Sequence, residues 1–184
     1  MMKKISICNQ EFDEDLSYFT FDTHFKISDM EELQKLKEFR NLQIASFDTT
    51  NFNDTGIKYL VENAPNIDNL SLQNTKISDD GIKYLTQLKQ LKYLRLKENR
   101  QLTNKCVPSF NLCHDLIDLQ LHETSVTIDG LNQLKLPKLE NLMFDFKGKD
   151  FGAVEELSKR LPQCNILIKG KAEFEGGRAL WIKE

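Results

Sequence analysis

The stretch LSLQNTKISDDGIKYL, Leu70–Leu85, has a close echo in ASFDTTNFNDTGIKYL, Ala45–Leu60, twenty-five residues earlier. Superposed, the copies place Ala45 on Leu70, Phe47 on Leu72, Thr50 on Thr75, Phe52 on Ile77, Asp54 on Asp79, Gly56 on Gly81 and Leu60 on Leu85. A repeat at this spacing describes a chain of small units. None can bury its apolar face alone, so the copies must stack to make a core.

The frame extends both ways through a signature of an apolar residue, two spacers, an apolar residue, one spacer and a third apolar residue. It runs through Leu42/Ala45/Phe47, Ile67/Leu70/Leu72, Leu91/Leu94/Leu96, Leu116/Leu119/Leu121 and Leu139/Leu142/Phe144, with looser copies at Leu16/Phe19/Phe21 and Leu161/Cys164/Ile166. Measured at the middle residue, the steps are 26, 25, 24, 25, 23 and 22 residues. They fall within the range of about 20–29 for units that pair one short strand with a helix or turn. The spacing predicts seven short, mainly parallel strands near residues 20, 46, 71, 95, 120, 143 and 165, and another strand near Ile5.

Alternation along each strand sends Leu70 and Leu72 inward and Ser71 and Gln73 outward. Five positions after the middle apolar residue stand Thr50, Thr75, Asn99 and Thr124, side chains able to satisfy backbone groups left open by the turn. Toward the ends this position changes to His24, Lys147 and Lys169, as expected of capping units. Between strands the period changes. Ile82, Leu85, Leu88 and Leu91 form an apolar stripe with Lys83, Gln87 and Lys89 between them, which fits a short helix. In the preceding unit Pro65 should stop the helix. ENRQLTNKCVPSFNL carries one extra residue before Leu102 and a proline at 108, so a bulged loop or broken helix is expected there.

With 184 residues and no Gly/Ser-rich, Pro-rich or single-sign linker, the chain reads as one domain, 1–184, with an N-terminal cap over 1–18 and a C-terminal cap over 169–184. Ile5 and Ile7 suit a lid strand over the first unit. A turn at Gly176 and Gly177 would bring Trp181 back to cover the far edge of the core. After Lys3 and Lys4 comes only ISIC before polar and acidic residues, too short for a secretion signal, and no run of eighteen apolar residues follows. The expected compartment is therefore the cytoplasm. Cys8, Cys106, Cys113 and Cys164 lack the compact spacing of a disulfide framework and are expected as buried thiols.

No motif carries catalytic chemistry. Cys106, Cys113 and His114 are too widely spaced for a zinc knuckle. Gly176 and Gly177 lack the Lys-Ser/Thr of a phosphate loop. The acidic run Glu11, Asp13, Glu14 and Asp15 lacks the ligand alternation and glycine of a calcium loop. His122 shares a face with Gln120 and reads as a polar surface residue or an interface residue before a catalytic one. No enzyme activity, cofactor or metal is expected. With 25 Lys and Arg against 28 Asp and Glu and no basic stripe in the repeat frame, nucleic acid is not an expected partner; neither is a membrane.

The central copies resemble leucine-rich repeats, particularly those of ribonuclease-inhibitor-like and adapter proteins, over about residues 16 to 168. Here Thr replaces Asn at most of the turn positions, and the third unit is irregular. The resemblance implies an α/β solenoid in which a mainly parallel strand face lies opposite short helices or loops, and it implies protein recognition as the activity. The candidate face then runs through Ser46 and Asp48, Ser71 and Gln73, Arg95 and Lys97, Gln120 and His122, Met143 and Asp145, and Asn165 and Leu167, with Thr49, Asn74, Glu98 and Glu123 beside it. Ser71, Gln73, Arg95, Lys97, Gln120, His122, Met143 and Asp145 form its predicted binding centre. The expected function is a protein-binding module, namely a stand-alone inhibitor or bacterial immunity-like protein acting sterically on a toxin or an enzyme. The alternative is a structural, assembly or adapter protein.

Overall fold

The computed structural model describes residues 3–183; Met1, Met2 and Glu184, which fall in the expected caps, lie outside the described residues. The strands are β1 (Lys4–Ile7), β2 (Gln10–Asp13), β3 (Tyr18–Thr20), β4 (Ile44–Ser46), β5 (Asn69–Ser71), β6 (Tyr93–Arg95), β7 (Asp118–Gln120), β8 (Asn141–Phe144), β9 (Asn165–Ile168), β10 (Ala172–Glu175) and β11 (Arg178–Ile182). The helices are α1 (Asp54–Asn63), α2 (Asp79–Ile82), α3 (Val107–Phe110), α4 (Ile128–Leu131) and α5 (Gly152–Arg160), with 3-10 segments at Met30–Glu38, Lys83–Gln87 and Asn104–Cys106.

Strands β3 to β9 pair in sequence order, all parallel, as the repeat frame predicts. Their middle residues stand in one buried column: Phe19, Ala45, Leu70, Leu94, Leu119, Leu142 and Ile166. The last member corrects the sequence frame, which places Cys164 opposite Leu142. Leu142 pairs with Ile166, so the final step is 24 residues. Because side chains alternate with period two, a slip of two residues leaves each face unchanged, whereas a slip of one would have exchanged core for solvent.

The turn residues carry the chain from strand to outer layer. Thr50 Oγ1 donates to Phe47 O at 2.6 Å, Thr75 Oγ1 to Leu72 O at 3.1 Å and Thr124 Oγ1 to Leu121 O at 2.6 Å. Asn99 is fully buried and joins two units, donating to Leu72 O and Leu96 O and accepting from Thr75 N–H. Just before this position Thr49, Asn74, Glu98 and Glu123 all have positive φ, from 50° to 63°, a conformation that costs a non-glycine residue about 1–2 kcal/mol. Each donates its N–H to the next unit, three of them to a backbone carbonyl and Glu123 to the Asp145 carboxylate. Thr49, Asn74 and Glu98 donate their N–H groups to Gln73 O, Lys97 O and His122 O of the next unit.

A second ladder explains the shared spelling of the two echoes. Asn53 and Ser78 cap α1 and α2 through their own side chains. The residue after each cap reaches forward: Asp54 accepts from Ser78 N–H and Oγ at 2.8 and 2.5 Å, and Asp79 accepts from Thr103 N–H and Oγ1 at 2.8 and 2.6 Å. Asn104 repeats the contact with Thr127. Gly81 and Gly130 leave room for it, since a Cβ on either would overlap the Asp54 or Asn104 side chain.

Helix α1 ends at Asn63, before Pro65. In the third unit the outer segment is a single 3-10 turn followed by α3, with Pro108 in the first turn of α3, where its missing N–H is tolerated. The extra residue falls in the loop before Leu102, where Gln101 Nε2 donates to Ile77 O at 2.7 Å.

At one end of the solenoid β1 and β2 form a separate antiparallel hairpin that buries Ile5 and Ile7. At the other, β10 and β11 add to β9 antiparallel. Here the expected role of Trp181 is corrected. All of β11 is exposed, Trp181 retains 41% of its surface, and Ala172 and Phe174 of β10 close the core instead. The Trp181 indole lies beside Glu173, donating to its Oε2 at 2.6 Å.

Candidate functional site

The strand-side face is built from three rows of side chains running across the sheet. The middle row contains Ser71, Arg95, Gln120 and Met143 on adjacent strands in register. Two residues further along each chain come Gln73, Lys97, His122 and Asp145. All eight residues predicted for the centre therefore belong to the same side of the sheet. The row before them, with Tyr18, Ile44, Asn69, Tyr93, Asp118 and Asn141, was missed. The signal was present: each of these residues precedes a middle apolar residue, and alternation puts it on the outer face as surely as the residue that follows.

The first two rows, together with Asp48 of the third, line an open hollow of about 360 Å³ that extends from β3 to β7. Tyr18 and Tyr93 line it and are 49% and 43% exposed. Asp48, Arg95 and Asp118 contribute its charged groups. Asp48 is already engaged, accepting from Ser71 Oγ at 2.6 Å and Gln73 N–H at 2.7 Å. Asp118 accepts only a 3.2 Å bond from Gln120 Nε2, and burial pushes its carboxyl above the ordinary range.

Charges in the third row are mostly paired. Glu98 accepts from Lys97 at 2.8 Å and from Gln73 at 3.0 Å, and the lysine holds its carboxyl below the ordinary range. Lys169 pairs with Glu123 at 2.6 Å and lowers it likewise. Asp145 accepts from Glu123 N–H. His122, expected at the surface or in an interface, is buried, with 5% of its surface exposed. Burial, Lys169 and Lys97 all lower its pKa, outweighing Asp145 and Glu123.

Among the described residues, three buried side-chain polar atoms have no hydrogen-bond partner: Arg95 Nε, His122 Nδ1 and Asn165 Oδ1. All three belong to strand-side residues. Buried polar groups in native proteins are nearly always satisfied by protein or by ordered water, and these three atoms leave bonding capacity on the strand side that water or a bound group can fill.

Cys106, Cys113 and Cys164 are buried, which raises their thiols to about 12, about 11 and about 12, far from a reactive thiolate at neutral pH. Cys8 is also buried, and the four cysteines are free. Among the described residues there is no group of three or more His, Cys, Asp or Glu side chains placed to hold a metal ion. Within those residues, no helix is long and apolar enough to cross a membrane.

No family model and no curated protein matches the chain. Among solved structures, an internalin (inlF) from Listeria monocytogenes str. 4b F2365 matches with a TM-score of 0.56 at 18% identity, over 84% of this chain and 42% of that one. The likeness is one of fold: a leucine-rich-repeat-like solenoid of strand and short-helix units. This chain spans less than half the length of the structure it matches. The cytoplasmic expectation is not upheld: the fold match is to an internalin, which counts against it, and at 18% identity that match carries the fold and no compartment. The missing hydrophobic leader between Lys3 and Asp15 describes those residues only.

Proposed function

We propose that this chain is a protein-binding module that receives its partner on the strand-side face. The observation that carries the reading is the placement of all three unpartnered buried polar atoms on that face. The exposed tyrosines in the hollow support it, since Tyr and Arg are prominent among residues that dominate binding energy. Within this class we favour a stand-alone inhibitor or a bacterial toxin immunity protein that covers a toxin or enzyme sterically. Its support is a solenoid whose strand face mixes both charge signs with amides. The near balance of 25 basic and 28 acidic residues favours a protein over nucleic acid or a membrane as partner. A structural, assembly or adapter role is the second reading. It draws on β11, an edge strand exposing Leu180, Trp181 and Ile182, of the kind that invites association.

The test is an unbiased pull-down from source cells, followed by affinity measurements with Arg95→Ala and Tyr93→Ala against helix-side Lys83→Ala and Lys89→Ala. The strand-side changes should weaken binding more than they change folding, with a central contact costing about 2 kcal/mol or more. Loss of affinity only in the helix-side variants would move the site to the other face. Inhibition requires that the captured protein lose its own activity as the complex fills; an unchanged activity would favour the adapter reading.

A further inference from the structure

Asp118 opens β7 and stands in register between Tyr93 on β6 and Asn141 on β8, neither of them charged. It borders both the hollow that runs from β3 to β7 and a smaller one of about 110 Å³ that continues across β8 and β9. Among the described residues it is the only charged side chain lining the smaller hollow, and in the larger one Asp48 and Asp118 stand against Arg95 alone. Neither carboxylate belongs to an ion pair among the described residues. The lysines of the neighbouring strand ends are taken, Lys97 by Glu98 and Lys169 by Glu123. Asp118 accepts one bond, from Gln120 Nε2 to its Oδ1 at 3.2 Å, which leaves Oδ2 to spare. Beside it the Tyr93 side of the hollow is open, with 43% of that tyrosine exposed.

We infer that the partner protein is read through a basic side chain, a lysine or an arginine, seated on the Asp118 carboxylate against the Tyr93 ring. This rests on the strand-side protein-binding reading and specifies its chemistry. An ammonium or guanidinium carries donors only, which suits a half-buried carboxylate with an oxygen to spare, and the adjacent ring adds cation–π attraction. Burial holds the Asp118 carboxyl above the ordinary range, so its ionised form is short of compensating charge. Two carboxylates against one guanidinium give the larger hollow an excess of negative charge, which repels an acidic side chain or a phosphate and attracts a cation. The geometry also favours a polypeptide as the source of that cation. The larger hollow runs across the sheet from β3 to β7, which at about 4.8 Å between neighbouring strands is about 19 Å. An extended segment of about six residues covers that span, whereas a metal ion or a simple amine does not.

A random-peptide phage library panned on the intact protein supplies the probe. The selected peptides should share a Lys or Arg. Replacing that residue by Gln in the peptide, or making Asp118→Asn in the protein, should each lower affinity about tenfold or more, and the two changes together should cost little more than either alone. Asp118→Asn keeps the shape and removes a charge that burial disfavours, so it should not lower the melting temperature. Tyr93→Leu keeps apolar cover without the ring face and should give a smaller loss. Putrescine in excess should leave the selected peptides bound; their displacement would overturn a polypeptide as the source of the charge. Peptides selected through an Asp or Glu and lost with Arg95→Gln, or peptides insensitive to Asp118→Asn but lost with Gln73→Ala, would overturn this inference while leaving the strand-side reading intact. Peptides lost only with Lys89→Ala would overturn both. Selection of no peptide above background on the folded protein would also overturn the Asp118 seat.

Discussion

At the N-terminal end of the sheet, Phe19 is fully buried within a cluster of rings. Phe12, Phe21, Phe39 and Phe47 lie at centroid distances of 4.8, 5.0, 5.9 and 5.6 Å from it, and Phe47 stacks on Phe52 at 4.0 Å. At the C-terminal end, Phe174 is buried against Phe151 at 5.6 Å, and a further strand, β11, lies wholly exposed beyond it. Both ends face the same problem, a unit with no next unit to cover it. One end inserts aromatic volume from the β1–β2 hairpin and from Phe39, just past the Met30–Glu38 segment. The other extends the sheet and passes the exposed edge outward by one strand. An end closed by core insertion stores its stability in buried rings, whereas an end closed by strand addition stores it in the last buried strand and leaves the outermost one weakly held.

The sharpest break in this comparison is Phe19→Ala, which should cost about 3–5 kcal/mol by the loss of a large buried ring and the cavity it leaves; urea denaturation reads it. A loss below about 1 kcal/mol would show that the cluster can collapse around the gap and that the two ends are closed alike. Phe174→Ala should fall in the lower part of the same range, about 3 kcal/mol. Trp181→Ala, on the neighbouring strand, should stay within about 0.5 kcal/mol of the parent. A reversed order for these last two would restore the capping role that the sequence suggests for the tryptophan.

The middle of the molecule supplies the reference for both ends. Asp79→Ala removes two hydrogen bonds to Thr103 and leaves its donors unpaired, an effect of about 1–3 kcal/mol in the denaturation midpoint. It should be smaller than either phenylalanine loss at the upper end of their ranges, and a null result would show that water replaces the carboxylate.

The smallest effect concerns pH. His122 has a folded-state pKa below its ordinary value of 6.5, so the unfolded chain takes up this proton first as pH falls. Its contribution is present above pH 6.5 and is lost as pH falls from 6.5 toward the lower folded-state value. The stability difference between the parent and His122→Gln should therefore change across that window in the direction of relative loss for the parent. A difference independent of pH would mean that the folded protein accommodates the imidazolium at no cost.

Much of the architecture was legible because it follows from local rules. Leu70 and Leu72 share a face in any strand, and Thr75 five positions on must meet the turn. The strand-side residues from Ser71 to Asp145 follow from the same alternation. Tyr93 and Asp118 escape a reading confined to the positions after the middle apolar residue. Other features had no local signature. Size and apolarity point Trp181 to the core, but its burial depended on which face of β10 the returning strand would follow, and it lies on the side of Glu173.

The amino-acid sequence by itself determined the repeat, the strand positions and the inward and outward faces, because period-two alternation and a spacing near 25 residues are properties of the chain alone. Tertiary structure alone decided that Ile166 rather than Cys164 stands opposite Leu142, that Asp54 reaches Ser78 through the space left at Gly81, and that His122 is buried among neighbouring strands while Arg95 keeps its Nε unpaired. Each of these depends on residues 20 or more positions apart meeting across stacked units. Burial, pairing and electrostatic environment are set by such neighbours, and the order of residues along one unit does not contain them.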